Sequence, residues 1–143
     1  MSFEEQRVYL SGKVTDLGLS IPVEMPNTPF KQPTNSAYAQ FHILGTKPFI
    51  VGGEGEGKAR FRHVGMVQLT VWIPEGKGTK GATEAADKFA DLFQMKQGRD
   101  RVGCTYRFKV AEVQNPQVKQ GWDVTVVRIP FTRDEVGTVQ VSL

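Results

Sequence analysis

The segment Gly76-Lys-Gly78-Thr-Lys-Gly81 has the glycine spacing G-x-G-x-x-G of a dinucleotide-binding loop. In such a loop the glycines let the backbone approach a pyrophosphate, which rests on the N-terminus of the following helix. The flanking patterns have the required order, because an alternating strand precedes the glycines and a small-residue helix follows them. The chemistry that this spacing would support is nucleotide binding by an enzyme.

The residues around this motif favour a structural turn instead. A dinucleotide fold needs a parallel strand after the helix, ending in an acid that binds the ribose. Here the segment after the helix is expected to form a hairpin with the next strand, and no second strand–helix–strand unit follows. Glu75 would also lie beside the pyrophosphate. Because short motifs often match by chance, we interpret Gly76–Gly81 as a joint between strand and helix and predict no cofactor.

A second glycine-rich segment, Gly52–Lys58, has part of the spacing of a phosphate-binding loop. The next residue is Ala59, where that motif needs Ser or Thr for the magnesium ion. Glu54 and Glu56 would place carboxylates where the phosphates must lie. The residues that follow have a strand pattern, whereas a phosphate loop needs a helix N-terminus there. We therefore reject phosphate binding at this segment.

The sequence offers few residues for acid–base, nucleophilic or metal chemistry. His42 and His63 are the only histidines, no carboxylate stands at metal-ligand spacing beside them, and both are predicted to be polar surface residues. The lone Cys104 excludes an internal disulfide and a multi-cysteine zinc site, and its strand position indicates a small core residue. With no nucleophile elbow or Ser-His-Asp order in the chain, we predict that the protein is not an enzyme and holds no metal.

A basic run, Lys58-Ala-Arg60-Phe-Arg62-His63, alternates along the start of the longest strand. Arginines with an interleaved aromatic residue could form a nucleic-acid platform. The net charge is only +3, which favours the other interpretation, a solvated strand end that pairs with acids of a neighbouring subunit.

In the first half of the chain, hydrophobic spacing predicts a helix over about residues 3–16, with a capping box at its start and Gly18 after its end. A short strand at Ile21–Met25 and a proline-rich loop follow. Strict alternation predicts a half-buried strand at Tyr38–Leu44. Five glycines then predict a flexible loop or a loose hairpin tip over residues 45–58.

In the second half, Arg60–Ile73 has the longest strand pattern and Pro74 ends it. Thr79 is expected to cap a helix that ends at Gly98, with its core stripe at Ala82, Ala85, Ala86, Phe89, Ala90 and Phe93. Strands at Arg101–Val113 and Gly121–Phe131 should then form a hairpin. Residues 134–143 are expected to form an edge strand or a tail that pairs with a neighbour.

The length of 143 residues favours one domain. No apolar run approaches the roughly 18 residues of a membrane span, so we expect no membrane partner. The N-terminus is acidic and lacks an apolar signal region, so we expect folding in a cytoplasm.

Several segments between about residues 20 and 133 recur in the order and spacing of a known family. They are Pro26-Asn-x-Pro-Phe30, Tyr38…Leu44, Arg62-His-Val-Gly-Met-Val-Gln-Leu-Thr-Val71, Pro74-x-Gly-x-Gly-Thr79, Ala86-Asp87…Phe93 and Gly121-Trp-x-Val-x-Val126…Pro130-Phe131. In this order and spacing the chain resembles the tail terminator-like, or tail completion, proteins of tailed phages. The N-terminal helix, the loop at 45–58 and the C-terminal tail lie outside the resemblance.

The resemblance implies an α+β fold, with a mixed, mostly antiparallel sheet packed against two helices in one domain, residues 1–143. It implies a structural protein of the virion tail, without catalysis or cofactor, from a phage or prophage and assembled in the bacterial cytoplasm. Such proteins form a ring, typically a hexamer. The ring caps the tube of the major tail protein, stops its polymerisation and offers a surface to the head-completion protein, while DNA passes through without sequence-specific binding.

Two alternatives remain open at this stage. One is another neck component, such as a head–tail connector subunit; the other is a small nucleotide-binding protein using Gly76–Gly81. For subunit or tube contacts we predict Arg60 and Arg62 with Glu54 and Glu56 of the glycine-rich loop, because mobile charged loops often order on assembly. Trp122 is expected to pack in the core or at its margin.

Overall fold

The computed structural model describes residues 3–26, 28–45, 48–55, 57–76, 80–114 and 116–138. These residues form two helices and nine strands. In chain order the elements are α1 (Phe3–Leu17), β1 (Val23–Glu24), β2 (Tyr38–Gly45), β3 (Phe49–Gly55), β4 (Lys58–Pro74), α2 (Lys80–Phe93), β5 (Gln97–Arg99), β6 (Thr105–Phe108), β7 (Glu112–Val113), β8 (Gln117–Lys119) and β9 (Trp122–Thr138).

All nine strands belong to one mixed sheet. Its main path is β1-β2-β4-β9-β6-β5, with β3 on β4 and with β7 and β8 on β9. The β1–β2 pair is parallel and the other pairs are antiparallel. This architecture confirms the predicted single α+β domain with a mostly antiparallel sheet and two helices.

The centre of the sheet is the pairing of β4 with β9. Each strand has 17 residues, and their antiparallel register runs without a break from Lys58↔Thr138 to Pro74↔Trp122. At about 3.3 Å per residue, this two-stranded ribbon is roughly 55 Å long. β2 borders β4 along its second half, and β3 borders it along its first few residues.

The core lies between one face of the sheet and the two helices, as the alternation predicts. The inward residues of β4 and β9 and the alanine–phenylalanine stripe of α2 are buried, and α1 adds Leu10 and Val14. Small alanines let α2 approach the sheet closely, while Phe89 packs edge-on against Phe41 and Phe93. The predicted stripe of α2 is confirmed at all six positions.

The helix α2 ends earlier than predicted. It stops at Phe93, and Met95 takes the left-handed conformation that allows the chain to turn, with φ 57°. Gly98 therefore does not end the helix; it lies in β5, where a Cβ would overlap the Tyr9 hydroxyl of α1. Gly98 leaves room for the Tyr9 hydroxyl beside β5 and does not cap the helix.

The strand predicted at Arg101–Val113 is broken into β6 and β7 because of Pro130. Three residues, 109–111, lie opposite two residues of β9, so the edge bulges there. Lys109 N donates to Pro130 O at 2.9 Å, so the backbone polar atoms of Pro130 face the bulged edge. Proline has no N–H to donate in return, and the pairing is interrupted at that point.

The segment at 45–58, predicted as a flexible loop or a loose hairpin tip, contains a strand and the tip of a hairpin. Residues 49–55 form β3, which pairs with β4 in a hairpin whose glycines at 55 and 57 both have φ 76°. Pairing with β4 satisfies the backbone groups on one edge of this segment despite its glycine content. The tail predicted to start at 134 begins inside β9, which continues to Thr138 against the start of β4. No helix among the described residues is long and apolar enough to span a membrane.

Gly65 allows the ribbon to pack closely at its middle. It lies opposite Phe131, and a Cβ on Gly65 would lie 2.6 Å from the Phe131 ring and 2.8 Å from the Leu44 carbonyl oxygen. The Phe131 ring thus occupies the space that a side chain at position 65 would fill. The β2–β4 pair and the β4–β9 pair both depend on this one glycine.

We expect Gly65→Ala to lower the free energy of unfolding by about 1–3 kcal/mol, because the methyl group overpacks a buried site. Chemical denaturation measures the change. Gly45→Ala is the matched control, since Gly45 is the cross-strand partner of Gly65 and a Cβ there meets nothing within 4 Å. Equal stability of the two variants would contradict this account of Gly65.

Candidate functional site

The strand–turn–helix that contains the G-x-G-x-x-G spacing is built differently from a nucleotide site. Residues 77–79 of the motif, including the predicted cap Thr79, lie outside the described residues. Glu75 N, just before the motif, donates to Gly121 O at 2.8 Å, which ties the turn to the β8–β9 hairpin. The strand that follows α2 is β5, which lies at the far edge of the sheet and runs antiparallel to β4. A dinucleotide fold needs a parallel strand at this point.

The second glycine-rich segment is the β3–β4 hairpin. The strand β4 follows it directly, so no helix N-terminus is available for a phosphate. Among the described residues, no group of three or more His, Cys, Asp and Glu side chains is arranged to hold a metal ion.

A buried polar cluster closes one end of the core, around Arg133 and Asp100. Arg133 is completely buried, and its Nη2 lies 3.6 Å from Asp100 Oδ2. Asp100 also accepts hydrogen bonds from the Tyr106 hydroxyl at 2.9 Å and from the backbone N–H groups of Val102 and Cys104. Burial raises the pKa of Tyr106, so its hydroxyl stays protonated and donates. These contacts hold the β5–β6 turn against β9.

His63 belongs to the rim of this cluster, and its predicted surface position is wrong. It is 4% exposed because Phe3, at the start of α1, packs edge-on against its ring. Its Nε2 lies 3.5 Å from Glu135 Oε1. Even-numbered residues of β4 face away from the helices. His63 is odd-numbered and faces the same side as the core residues Val67 and Leu69. His42 is exposed on β2, as predicted.

Cys104, Glu135 and His63 are neighbours, but they do not form a nucleophilic site. Cys104 Sγ lies 3.7 Å from Glu135 Oε2 and accepts a hydrogen bond from Arg133 Nη2 at 3.3 Å. Burial raises the pKa of the Cys104 thiol more than Arg133 lowers it, and the reactive form of cysteine is the thiolate. Cys104 is a buried core residue, as predicted.

On the opposite face of the sheet, Asp134 joins two arginines. Arg62 donates to both Asp134 oxygens, at 2.8 and 2.9 Å, and Arg107 donates to Oδ2 at 3.1 Å. The hydrogen bond from Arg62 is the main cause that holds the pKa of Asp134 below its ordinary value. The Asp134 carboxylate, which is 7% exposed, therefore links the three strands β4, β9 and β6. We call this group of Arg62, Arg107 and Asp134 the clamp.

Because of this clamp, one of the predicted interaction residues, Arg62, is part of the fold. Arg62 is engaged within its own chain, so charge reversal at Arg60 and Arg62 together would disturb the fold as well as any assembly contact. Arg60 is half-buried near Asp134. The side chain of Glu54 and the whole of Glu56 lie outside the described residues. The structure brings the two arginines to one sheet face, and the two acids stay predictions.

Arg133 and Asp134 were not predicted as site residues, because the sequence pattern predicted that the last strand ends at Phe131. A signal was present, since Val127, Ile129 and Phe131 alternate inward and Arg133 continues the same parity. An arginine at an inward position needs a buried acid as partner, and Asp100 provides it.

Beyond the clamp, three strands continue as an extension that we call the arm: β3, residues 58–62 of β4 and residues 134–138 of β9. Apolar side chains of the arm are strongly exposed, with Phe49 at 48%, Ile50 at 61% and Val136 at 55%. At the arm's base an open groove of about 790 Å³ lies between α1 and the end of β2 and is lined by Phe3, Ile43 and Pro48. Exposed apolar surface of this kind is typical of protein–protein contact sites.

At the opposite end of the ribbon, aromatic residues cover the outer sheet face. Trp72 stacks on Tyr38 and meets Trp122 edge-on, while its Nε1 donates to Gln40 at 2.9 Å. Trp122 is half-buried among these rings on the outer face, not in the core between the sheet and the helices.

The geometry describes a protein with exposed edges and no formed chemical centre among its described residues. The sequence profile of the phage tail terminator protein family matches residues 8–131. The chain belongs to this family. The match runs from α1 through both helices and into β9, so it covers the whole core of the tail terminator domain.

Two further comparisons bear on the fold of this tail terminator family member. A comparison with curated proteins gave no match. One solved structure superposes with a TM-score of 0.72 at 18% sequence identity, covering 93% of this chain and 96% of the other. At that identity the likeness concerns the fold alone. It extends over nearly the full length of both chains.

We expect Asp134→Asn to lower the free energy of unfolding at pH 7 by about 1–3 kcal/mol, because charge-assisted hydrogen bonds are lost. Since the pKa of Asp134 is lowered in the fold, its ionised form stabilises the protein above the unfolded-state pKa, and that contribution is lost as pH falls through the folded-state pKa. The variant should therefore lose less stability on acidification than the native protein.

Denaturation curves recorded from pH 7 down to pH 2 measure both effects. Asp16→Asn is the control, because Asp16 is exposed on α1. A variant at position 134 that follows the native pH dependence would contradict the role of the Asp134 clamp.

Proposed function

We propose that this protein is a tail terminator that forms a ring on the end of the tail tube of a phage or prophage. The ring, which we take to be a hexamer, stops polymerisation of the major tail tube protein and offers a surface to the head-completion protein. DNA passes through it without sequence-specific binding. Assembly takes place in the bacterial cytoplasm, and the mature protein is part of the virion tail.

The observation that carries this proposal is the family match over residues 8–131. Its length matters, because it spans most of α1, all of β4 and α2 and the first ten residues of β9 together, rather than one short motif. The two glycine motifs give no comparable support for an enzyme. Gly76–Gly81 joins β4 to α2, and the next strand is antiparallel to β4. Gly52–Lys58 lies in the β3–β4 hairpin.

The surface of the chain supports a role in assembly. Exposed apolar residues lie on the arm and also on the edge formed by β7 and β8, where Val113 is 58% and Val118 is 61% exposed. Two separate adhesive regions suit a subunit that contacts more than one neighbour. Closed rings are built from head-to-tail contacts between two different surfaces of each copy.

We expect deletion of the gene from its phage to give tails that are longer than normal and not joined to heads, because nothing stops tube growth. Negative-stain images of the lysate measure tail length and head attachment. A plasmid copy of the native gene should restore both, and a plasmid copy with an early stop codon serves as control. Tails of normal length that fail only to join heads would contradict the proposal and indicate a connector subunit instead.

We also expect neither NAD nor ATP to raise the Tm of the purified protein. A ligand present at 100 times its Kd would stabilise the fold by about 2.7 kcal/mol, a shift of several degrees. Thermal unfolding with and without each nucleotide measures this, and Gly78→Ala is the matched variant. A shift in the native protein that Gly78→Ala abolishes would favour the nucleotide-binding alternative.

A further inference from the structure

The arm extends beyond the helices and exposes two strand edges. β4 is its central strand, with β3 on one side and the end of β9 on the other. Among the described residues, β3 pairs only with β4, so its outer edge presents unpaired backbone groups. An exposed edge of this kind is a template for pairing with another chain.

The edge strand β3 is only partly protected against pairing: it carries Glu54, and its register with β4 shifts between Ile50 and Gly52 and between Gly53 and Gly55. Its sequence, Phe49-Ile-Val-Gly-Gly-Glu-Gly55, contains no lysine and no proline, which are the usual means of preventing edge-to-edge pairing. Phe49, Ile50 and Val51 are all exposed, at 48, 61 and 38%. Three consecutive exposed apolar residues on a free edge are expected to be covered when the protein is assembled.

The strand that fits this edge lies on the other side of the same arm. The last pair between β6 and β9 is Thr105↔Asp134, so the four residues after Asp134 pair only with β4 among the described residues. The sequence then continues as Val139-Gln-Val-Ser-Leu143, outside the described residues. From 136 to 143 this segment carries no charge and has apolar residues at alternate positions from 139 onward. Residues 136–143 are enough to pair along the seven residues of β3.

We propose that the outer edge of β3 in one copy binds residues 136–143 of a second copy as an added strand. The sheet then continues from one subunit to the next, with backbone hydrogen bonds giving affinity and the apolar side chains of β3 covered. The two edges lie on opposite sides of one arm, so each copy gives one strand and accepts another. This is the head-to-tail contact that a closed ring needs. The inference rests on the proposed ring and names the surface that forms it.

A disulfide test separates this contact from any contact inside one chain. Val136 lies opposite Arg60, and Arg60 lies opposite Gly52, the neighbour of Val51. Positions 51 and 136 of the same copy are therefore two strand spacings apart, about 10 Å. A disulfide needs Cα atoms within about 7 Å, so cysteines at these positions can join only different copies. The native Cys104 is buried and does not compete.

The experiment uses the full chain with Val51→Cys and Val136→Cys together, oxidised mildly both as free concentrated protein and in tails purified from a complemented deletion phage. We expect a series of covalent dimers, trimers and larger species on a non-reducing gel, in at least one of the two samples. Each single-cysteine variant should give less than a tenth of that product. No disulfide-linked species in either sample would overturn the proposal. Equally efficient dimers from Val51→Cys alone would also overturn it, because they would show β3 pairing with β3.

A second pair of variants tests the edge without a crosslink. Ile50→Lys places a charge on β3. Val8→Lys is its control, because Val8 is 51% exposed on α1, outside the arm and the β7–β8 edge. We expect Ile50→Lys to raise at least tenfold the concentration needed for half-maximal ring formation in ultracentrifugation, or to abolish incorporation into tails. Val8→Lys should leave ring formation unchanged, and both variants should keep a native Tm. Native assembly by Ile50→Lys would contradict the proposal.

The two proposals fail in different ways. A protein that crosslinks through positions 51 and 136 but leaves tail length unaffected when deleted would assemble as inferred and not be a terminator. A protein whose deletion lengthens tails but which never crosslinks would be a terminator that uses another surface.

Discussion

The rest of the structure depends on the antiparallel pairing of β4 with β9. Its 17 consecutive residue pairs fix which side chains of both strands face the helices and which face outward. A slip of one residue would exchange the two faces of a strand. Gly65 opposite Phe131 and the clamp of Arg62 on Asp134 both fix the register along this ribbon. Every other strand except β1 and β5 pairs directly with β4 or β9.

The length of the ribbon explains why the protein has an arm. A helix rises about 1.5 Å per residue, so α1 and α2, with 15 and 14 residues, are each roughly 22 Å long. The two helices pack against each other and cover one part of a ribbon that is roughly 55 Å long. The remaining strands must therefore extend beyond the hydrophobic core. Where the arm begins, the inward-facing residues of β9 change from the apolar Phe131 to the charged Arg133 and Glu135. The buried polar cluster closes the core at this point.

The alternation and helical periodicity of the sequence predicted the elements that form the core, because burial on one face imposes these periods. The period of two in Arg60–Ile73 and the stripe from Ala82 to Phe93 are direct results of packing. The arm could not be predicted in this way. Residues 49–55 are rich in glycine and exposed, and only the presence of β4 as a partner makes them a strand. Local preference indicated a loop, and long-range pairing decided otherwise.

The candidate site had a similar limit. Arg60 and Arg62 could be selected from sequence because charges at the start of a strand are visible there, whereas their environment depends on Asp134, which is 72 residues beyond Arg62 in the chain. That carboxylate turns Arg62 from a free surface charge into part of the fold.

In the proposed assembly, the backbone edge of β3 contributes more to binding than the charged side chains beside it. Exposed ion pairs contribute little, about 0–1 kcal/mol each, whereas an added strand satisfies several backbone groups at once and covers Phe49, Ile50 and Val51. The same antiparallel pairing that builds the β4–β9 ribbon can thus continue between copies, with the arm as the part of the sheet that the helices leave uncovered.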